Sequence, residues 1–206
     1  MAPRSRISRE AILDTAARLI SETGAASMTF QTLGDRLGVS KQAIIYWFPS
    51  KADLARELVI PALELEADAV IAALRRVKSA RRAIELFLRA LIAFHLNDLG
   101  RFRLIYVVAQ FDTEIWKVAD LPHVTDPIHA ATSRMYASLE GILRQASDFA
   151  DPATARITAA AVHTSAVGLL SMISLAEAIH DPLAHSSTGL VAALVRMATG
   201  QAFRPR

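Results

Sequence analysis

The chain has 206 residues, 52% of them hydrophobic and 21% charged, and this balance excludes an intrinsically disordered protein. Its formal net charge of +3 is too small to identify a partner. Because the sequence contains no cysteine, disulfides, thiolate catalysis and thiolate metal sites are excluded as well. Apolar residues recur at intervals of three and four rather than two, which predicts an all-α protein.

The first predicted helix begins after Ser8, whose side chain can cap it, and ends near Thr23, before Gly24. One face of this helix is apolar and carries Ile12, Ala16, Leu19 and Ile20. A single apolar stripe of this kind is typical of a helix packed against a core.

Two short helices follow, joined by a tight turn. Thr29 opens the second helix, which ends at Gly38, and Ser40 opens the third, which ends before Pro49. Gly34 is expected where the two helices approach most closely, and Gly38 where the backbone turns left-handed. The apolar residues spaced to share one core are Leu33, Leu37, Val39, Ile44 and Trp47. Together these are the steric requirements of a helix-turn-helix.

The third helix then directs one face outward. The outward residues are Lys41, Gln42, Ala43, Ile45 and Tyr46. Lysine and glutamine can address base edges in a major groove, while alanine and isoleucine can pack on thymine methyl groups. Tyr46 and Lys51 are placed to reach phosphates, and Lys51 also lies at a helix start, where N–H groups attract anions. The alternative is a helical hairpin with a solvated polar face, which does not require caps, small residues and apolar spacing to coincide.

A long fourth helix is predicted to begin with a capping box made by Ser50 and Asp53 and to bend at Pro61. It bridges a helix-turn-helix domain, residues 1–50, and a larger helical domain, residues 51–206. The further helices are predicted at about 79–98, 100–119, 125–148, 152–179 and 187–201.

Residues 8–58 resemble the DNA-binding domain of the TetR family of transcriptional regulators. The stretch GVSKQAIIYWFPSKADL, from Gly38 to Leu54, is similar to that family's signature across the recognition helix and the start of the next helix. The resemblance implies an all-helical homodimer, a C-terminal effector-binding and dimerisation domain, and repression relieved by a small molecule. The candidate DNA-binding residues are Lys41, Gln42, Ala43, Ile45, Tyr46, Trp47 and Lys51, with Thr29 and Ser40 at the helix starts.

Two residues depart from the family's usual pattern. Ile45 stands where the family usually has tyrosine, which removes one expected phosphate-binding hydroxyl. Leu37 stands where a small residue is usual. The first departure concerns the pattern of phosphate contacts rather than DNA binding itself.

The segment 157–176 carries no formal charge over about the length that spans a bilayer. It contains His163 and several serines and threonines, and much of the remainder is alanine. Burial against both its own domain and a partner subunit explains this composition better than lipid does, so we expect no membrane span. A matching apolar stripe on the last helix, Leu190, Leu194 and Met197, favours a four-helix interface between two subunits.

Polar groups set among apolar helices mark a candidate effector pocket. They are His95, Asn97, Tyr106, Gln110, Trp116, Tyr136 and His163, and all but Asn97 are retained as candidate effector-binding residues. As a set they suit a flat or lipophilic ligand, although each one alone is compatible with a satisfied role in the core or on the surface. His123 and His129 lack convincing ligand spacing, and we expect no metal and no cofactor.

Two other classes of function stay open from the residues alone. An enzyme on a helical bundle is one, but no Ser-His-Asp set, phosphate-binding Gly-rich loop or metal-ligating His-Glu motif supports it. The other is a binding module that has kept the fold and no longer binds DNA. The presence of Lys41, Gln42 and Lys51 argues against it. The N-terminus lacks the apolar core of a signal peptide. We expect a non-enzymatic, cytoplasmic protein, and the resemblance to the TetR family implies that it is a repressor that a small apolar or aromatic ligand releases from double-stranded operator DNA.

Overall fold

The structure is a computed structural model that describes residues 7–24, 27–107, 121–181 and 185–200, without the side chains of residues 121–125. Regular structure in these ranges is helical, which confirms the all-α prediction. The helices are α1 (Arg9–Thr23), α2 (Phe30–Leu37), α3 (Lys41–Trp47), α4 (Lys51–Leu74), α5 (Ala80–Leu96), α6 (Leu99–Phe102), α7 (Leu121–Leu143), α8 (Pro152–Ala178) and α9 (Ser187–Ala198). A π-helical turn, Arg103–Val107, continues α6, and a 3-10 turn, Ser147–Phe149, precedes α8.

The chain divides into two compact units. The first comprises Met1–Ala62 and Leu99–Pro127, and the second comprises Leu63–Asp98 and Ile128–Arg206. Helix α4 begins in the first unit and ends in the second, so one continuous helix belongs to both. This division is one of packing, and the division by function at residues 50 and 51 stays a prediction.

The core of the first unit is formed by the apolar faces of α1 to α3, the start of α4, and α6. Its fully buried side chains include Ile12, Ala16, Leu33, Ile44, Phe48, Leu54 and Phe102. Ser8 caps α1 as predicted, since its Oγ accepts the Ala11 N–H at 3.1 Å. The predicted apolar face of α1 is the face that is buried.

In the second unit, α5 packs against both α8 and α9. Helix α5 contributes large side chains with no exposed surface, among them Phe87, Leu88 and Leu91. The facing stripe of α8 is mostly small and consists of Ala155, Ala159, Val162, Ala166, Leu170 and Ser174. Small residues on one helix leave room for bulky ones on the other, so the two backbones can approach closely.

Two predicted helices differ from the structure by four residues or more at an end, while those predicted at 79–98, 152–179 and 187–201 differ by three residues or fewer. The helix expected at 125–148 begins at Leu121 and ends at Leu143. It ends early because the Gln145 and Ala146 N–H groups bond to the carbonyls three residues back, which tightens the chain into a turn. The segment expected at 100–119 is helical from Leu99 and changes to the π-helical turn at Arg103, and its residues after Val107 lie outside the described ranges.

Candidate DNA-binding surface and ligand-domain cluster

The turn between α2 and α3 has the geometry that its glycines predict. A Cβ added to Gly34 would lie 2.7 Å from the Val39 carbonyl oxygen, a separation that real Cβ atoms essentially never show. Gly38 has φ 67° and ψ 32°, the left-handed conformation that costs glycine little. Both expectations for these glycines are confirmed. They fix the angle at which α3 leaves α2.

Side-chain caps fix where each helix of the domain begins. Thr29 Oγ1 accepts the Thr32 N–H at 3.0 Å, and Ser40 Oγ accepts the Ala43 N–H at 3.3 Å. Both hydroxyls are therefore occupied as caps in the protein without DNA. Their predicted contact with DNA stays a prediction.

The capping box of α4 is present. Ser50 Oγ accepts the Asp53 N–H at 3.1 Å, and Asp53 Oδ2 accepts the Ser50 N–H at 3.2 Å. This reciprocal pair starts α4 after three intervening residues, 48–50, and places Lys51 at its first position.

Helix α3 presents its predicted outward face to solvent. Lys41 and Gln42 are exposed, and Tyr46 is 81% exposed although it is a large aromatic residue. Ala43 and Ile45 are half-buried at the edge of this face. We call these five residues the α3 face. It combines hydrogen-bonding, apolar and aromatic groups on a short helix.

The prediction that Trp47 belongs to the core is wrong, because this side chain is 37% exposed. It packs edge-on against Tyr46, with the ring centres 5.7 Å apart. The residue that closes the core is Phe48, which has no exposed surface. Helix α3 ends at Trp47, and Phe48 takes an extended conformation with φ −132° that turns its ring inward. Trp47 is thereby left beside Tyr46 at the end of the α3 face.

Sequence reasoning missed the role of Arg9. Its guanidinium lies 5.2 Å from the centre of the Phe48 ring and donates to Glu57 Oε1 at 2.9 Å. These contacts tie α1 to the end of α3 and to the first half of α4. A basic residue at a helix start gave no signal of this, since its partner lies 48 residues away.

The second unit contains a buried polar cluster, which we call the α4 cluster: Glu66 of α4, His95 of α5, Tyr136 of α7 and His163 of α8. His95 Nε2 lies 2.7 Å from Glu66 Oε2, and the two side chains are 0% and 2% exposed. His163 Nε2 lies 3.9 Å from Glu66 Oε1. Tyr136 Oη lies 2.7 Å from His163 Nδ1. Four helices of the second unit therefore meet through polar atoms.

Burial determines the protonation states of two members of the α4 cluster, His163 and Tyr136. It lowers the pKa of His163 below its ordinary value; the neighbouring Glu66 acts against this effect and the neighbouring His95 adds to it. Burial also raises the pKa of the Tyr136 phenol, against the influence of Arg156. We therefore expect a neutral imidazole and a neutral phenol at neutral pH.

Helix α8 and its neighbour α9 leave a broad apolar face uncovered. Ile157, Met172, Leu175, Ile179 and Met197 are each more than half exposed. An open groove of about 640 Å³ runs along this face. Its apolar lining residues are Leu169, Met172, Ile173, Ala176 and Leu190, and its polar ones are Glu177, His180, Asp181, His185 and Ser187. In the described residues α8 is also the one helix long and apolar enough to cross a membrane by length and composition.

The described residues contain no group of three or more histidine, aspartate and glutamate side chains placed to hold a metal ion. The expectation of no metal stays a prediction for the chain as a whole.

Comparison with known proteins places these features in a family. Residues 12–58 match the family described as "Bacterial regulatory proteins, tetR family". The N-terminal domain belongs to the TetR family. This stretch contains both glycines of the turn and the whole α3 face.

Solved structures extend the likeness from that TetR domain to the whole chain. A TetR-family regulator, PfmR of Thermus thermophilus, shares 21% identity at a TM-score of 0.66, over 94% of this chain and 99% of its own. FadR of Bacillus subtilis, solved with stearoyl-CoA, shares 14% identity at a TM-score of 0.67, and the match covers 95% of this chain and 100% of FadR. At such identities the likeness shows the fold alone, which is that of a TetR-family transcriptional regulator.

A curated relative is the nucleoid occlusion factor SlmA of Aliivibrio fischeri, 32% identical over 108 residues. The match covers 50% of this chain and 53% of the relative, so the chain spans about half the length of the curated relatives it matches.

Within this TetR fold, the structure brings together three of the predicted effector-binding residues: His95, Tyr136 and His163. Tyr106 lies in the first unit, where it stacks on Phe102 with ring centres 5.3 Å apart. Gln110 and Trp116 lie outside the described residues. A role in ligand binding stays a prediction for all six effector-binding candidates.

Sequence reasoning missed Glu66, which joins the two histidines. Its signal was available, since a glutamate on the same helical face as Leu63 and Val70 is a charge placed where apolar residues are buried.

Proposed function

We propose that the chain is a sequence-specific, homodimeric transcriptional repressor that a small apolar or aromatic ligand releases from double-stranded operator DNA. The observation that carries the proposal is the α3 face, which presents Lys41, Gln42 and Tyr46 to solvent on a helix whose entry is fixed by Gly34 and Gly38. In a helix-turn-helix the second helix enters the major groove and reads base edges with such side chains. On this proposal the chain acts in the cytoplasm and is not an enzyme.

The uncovered apolar face of α8 and α9 supports a homodimer. Soluble monomers rarely expose contiguous apolar patches of this kind, and two copies can cover each other's patch around a twofold axis. Coverage by a second copy also accounts for a helix whose length and composition would suit a membrane. Two recognition helices then contact two half-sites, which is how helix-turn-helix dimers bind DNA.

The interior of the second unit supports the ligand-binding part of the proposal. The α4 cluster supplies a few hydrogen-bonding groups among the buried aromatic and aliphatic side chains of α5, a combination typical of small-molecule sites. A structural neighbour, FadR of Bacillus subtilis, was solved with stearoyl-CoA, a molecule with a long apolar chain. The proposed effector-binding set is His95, Tyr136 and His163 with Tyr106, Gln110 and Trp116.

The test is selection of duplexes from a random DNA library by the full-length protein, followed by sequencing. We expect a palindromic site, with half-sites about one helical turn or more apart. The selected site is then titrated with apolar and aromatic compounds. Binding without sequence preference would overturn the proposal of a specific regulator, and a site that no ligand releases would overturn the ligand-responsive part alone.

The likeness to SlmA supports a second candidate, a role in nucleoid occlusion. Mapping of bound sites across the chromosome separates the two functions. A regulator occupies sites at a few promoters, whereas a nucleoid occlusion factor would occupy sites spread over the chromosome.

Lys51→Ala is expected to weaken binding to every DNA sequence similarly. Lys51 begins α4 beside the end of the α3 face, where N–H groups and an ammonium group together attract a phosphate. Losing one phosphate contact reduces the slope of log K against log salt by about 0.9 on duplex DNA. Fluorescence anisotropy at several salt concentrations measures this slope, with Lys78→Ala, outside the matched domain, as control. An unchanged slope would remove Lys51 from the phosphate contacts.

Lys41→Ala and Gln42→Ala are each expected to cost about 1–3 kcal/mol on the selected site and to relax preference at one base position. Both side chains are exposed at the start of α3, so their removal leaves the core intact. Competition with single-base variants of the site measures the effect. Equal losses on random DNA would show that these residues position the protein rather than read bases.

A further inference from the structure

We propose that Arg9 is a positioning residue for DNA recognition, which holds the end of α3 in place through Phe48 and does not itself contact DNA. The proposal rests on the proposed function, because it takes specific DNA binding as its output. It assigns a role in recognition to a residue that precedes the stretch matched to the family, residues 12–58. All the residues involved belong to the first compact unit.

The first step concerns how α3 ends. The Phe48 N–H bonds to the Ile44 carbonyl at 2.9 Å and closes the last turn of the helix. The Phe48 ring is fully buried while its backbone is extended, so the ring anchors the point at which the helix stops. Tyr46 and Trp47 immediately precede it and are 81% and 37% exposed. A displacement of the Phe48 ring would therefore shift both exposed aromatic side chains.

The second step concerns what covers the Phe48 ring. The Arg9 guanidinium lies 5.2 Å from the ring centre, within the distance of about 6 Å at which a cation and an aromatic face attract each other. The arginine side chain is 44% exposed whereas Phe48 has no exposed surface, so Arg9 lies on the solvent side of the ring. The arginine therefore holds the ring in its buried position from outside.

The third step concerns what holds the guanidinium. Arg9 is the first residue of α1, where the helix dipole disfavours a positive charge, so its own helix does not stabilise the cation. Its Nη2 donates to Glu57 Oε1 of α4 at 2.9 Å. Fixing an arginine side chain costs rotamer freedom, and a hydrogen bond between two charged groups offsets that cost. Glu57 thus orients the cation that covers Phe48.

A second arginine of the same unit provides a matched control. Arg36 of α2 donates to Glu22 of α1 at 3.0 Å, and its side chain is 48% exposed. This pair joins α1 to α2, whereas the pair of Arg9 joins α1 to α4 beside the end of α3. Arg36→Ala therefore removes an ion pair of similar length and exposure from a different place in the domain.

The experiment measures affinity for the selected DNA site by fluorescence anisotropy at several salt concentrations, with the full-length protein. We expect Arg9→Ala to weaken binding by about threefold to tenfold, because a contact with an aromatic ring and an ion pair are lost together. The slope of log K against log salt should stay unchanged, and Arg36→Ala should bind as the wild type does. A slope reduced by about 0.9 would show that Arg9 contacts a phosphate itself, which would overturn the positioning role.

Two further variants separate the charge of Arg9 from its bulk. Arg9→Lys keeps a cation that can lie over the ring, so it should recover part of the lost affinity. Arg9→Met keeps a long unbranched side chain without the charge and should bind as weakly as Arg9→Ala. Full recovery by Arg9→Met would show that apolar cover of the ring is sufficient, which would overturn the role of the cation.

A double-mutant cycle tests the role of Glu57. Glu57→Gln should weaken DNA binding in the wild-type background and have little further effect in Arg9→Ala, because the residue that it orients is already gone. It also carries the affinity measurements if circular dichroism shows that Arg9→Ala does not fold. Losses that add in full would show that the two residues act separately and would overturn the third step.

Fluorine NMR of protein labelled with 5-fluorotryptophan reports on the end of α3 without DNA. The Trp47 signal, assigned by its loss in Trp47→Phe, should shift in Arg9→Ala and keep its position in Arg36→Ala. An unshifted Trp47 signal or wild-type affinity in Arg9→Ala would overturn the inference while leaving the regulator in place. Failure of the wild-type protein to select any specific site would instead overturn the proposed function.

Discussion

Ala161→Glu is expected to convert the protein into a folded monomer that no longer binds its operator tightly. Ala161 is exposed on α8 in the single chain, so the glutamate has room there and the stability of the protomer should change by no more than about 0.5 kcal/mol. In the proposed dimer the same side chain would be covered by the partner. An unpaired buried charge costs several kcal/mol, which weakens the dimer by roughly a hundredfold or more.

Gly168→Glu provides an independent position on the same helix. A Cβ at Gly168 meets no atom within 4 Å, so this substitution too is open in the single chain. Sedimentation gives the dimer constant, and circular dichroism shows that each variant is folded. Ala72→Glu, an exposed alanine near the end of α4, is the matched control and should remain dimeric. An unaltered dimer in both α8 variants would place the interface on other helices.

The parts of the structure that the sequence predicts well depend on residues close together in the chain. The capping box of α4 needs only Ser50 and Asp53, and the turn before α3 needs only Gly34 and Gly38 with their immediate neighbours. Such features follow from the steric and hydrogen-bonding properties of a few residues. They were sufficient to identify the helix-turn-helix and its outward face.

The burial of Phe48 in place of Trp47 shows the limit of prediction from helical periodicity. Extending the helical period of α3 by one residue directs Trp47 inward, but the helix ends there and the extended Phe48 takes the buried position. A difference of one residue in a helix end reverses which aromatic ring is covered. Periodicity alone does not contain that information.

The α4 cluster was only partly predictable for a different reason. Two of its contacts join residues 29 and 27 positions apart, so they exist only once α4, α5, α7 and α8 have packed. Polar residues in apolar helices pointed to His95, Tyr136 and His163 but gave neither their pairing nor their link to Glu66. Helix packing supplies both.

His95→Leu is expected to lower the free energy of unfolding by about 3–5 kcal/mol, because it removes one partner of a buried charged or hydrogen-bonded pair and leaves the other in place. Glu66 is 2% exposed and would lose its contact with His95 Nε2 at 2.7 Å. His163 Nε2, at 3.9 Å, is too far to replace that contact without movement of a helix.

Removing both partners should have a much smaller effect than removing one. In the double variant Glu66→Leu with His95→Leu, two apolar side chains fill the space and neither member of the pair is left buried without the other, so most of the lost stability should return. Urea denaturation followed by circular dichroism measures all three variants, with exposed His129→Leu as control. A double variant that loses the sum of the two single effects would show that Glu66 and His95 stabilise the protein independently, which would contradict their pairing.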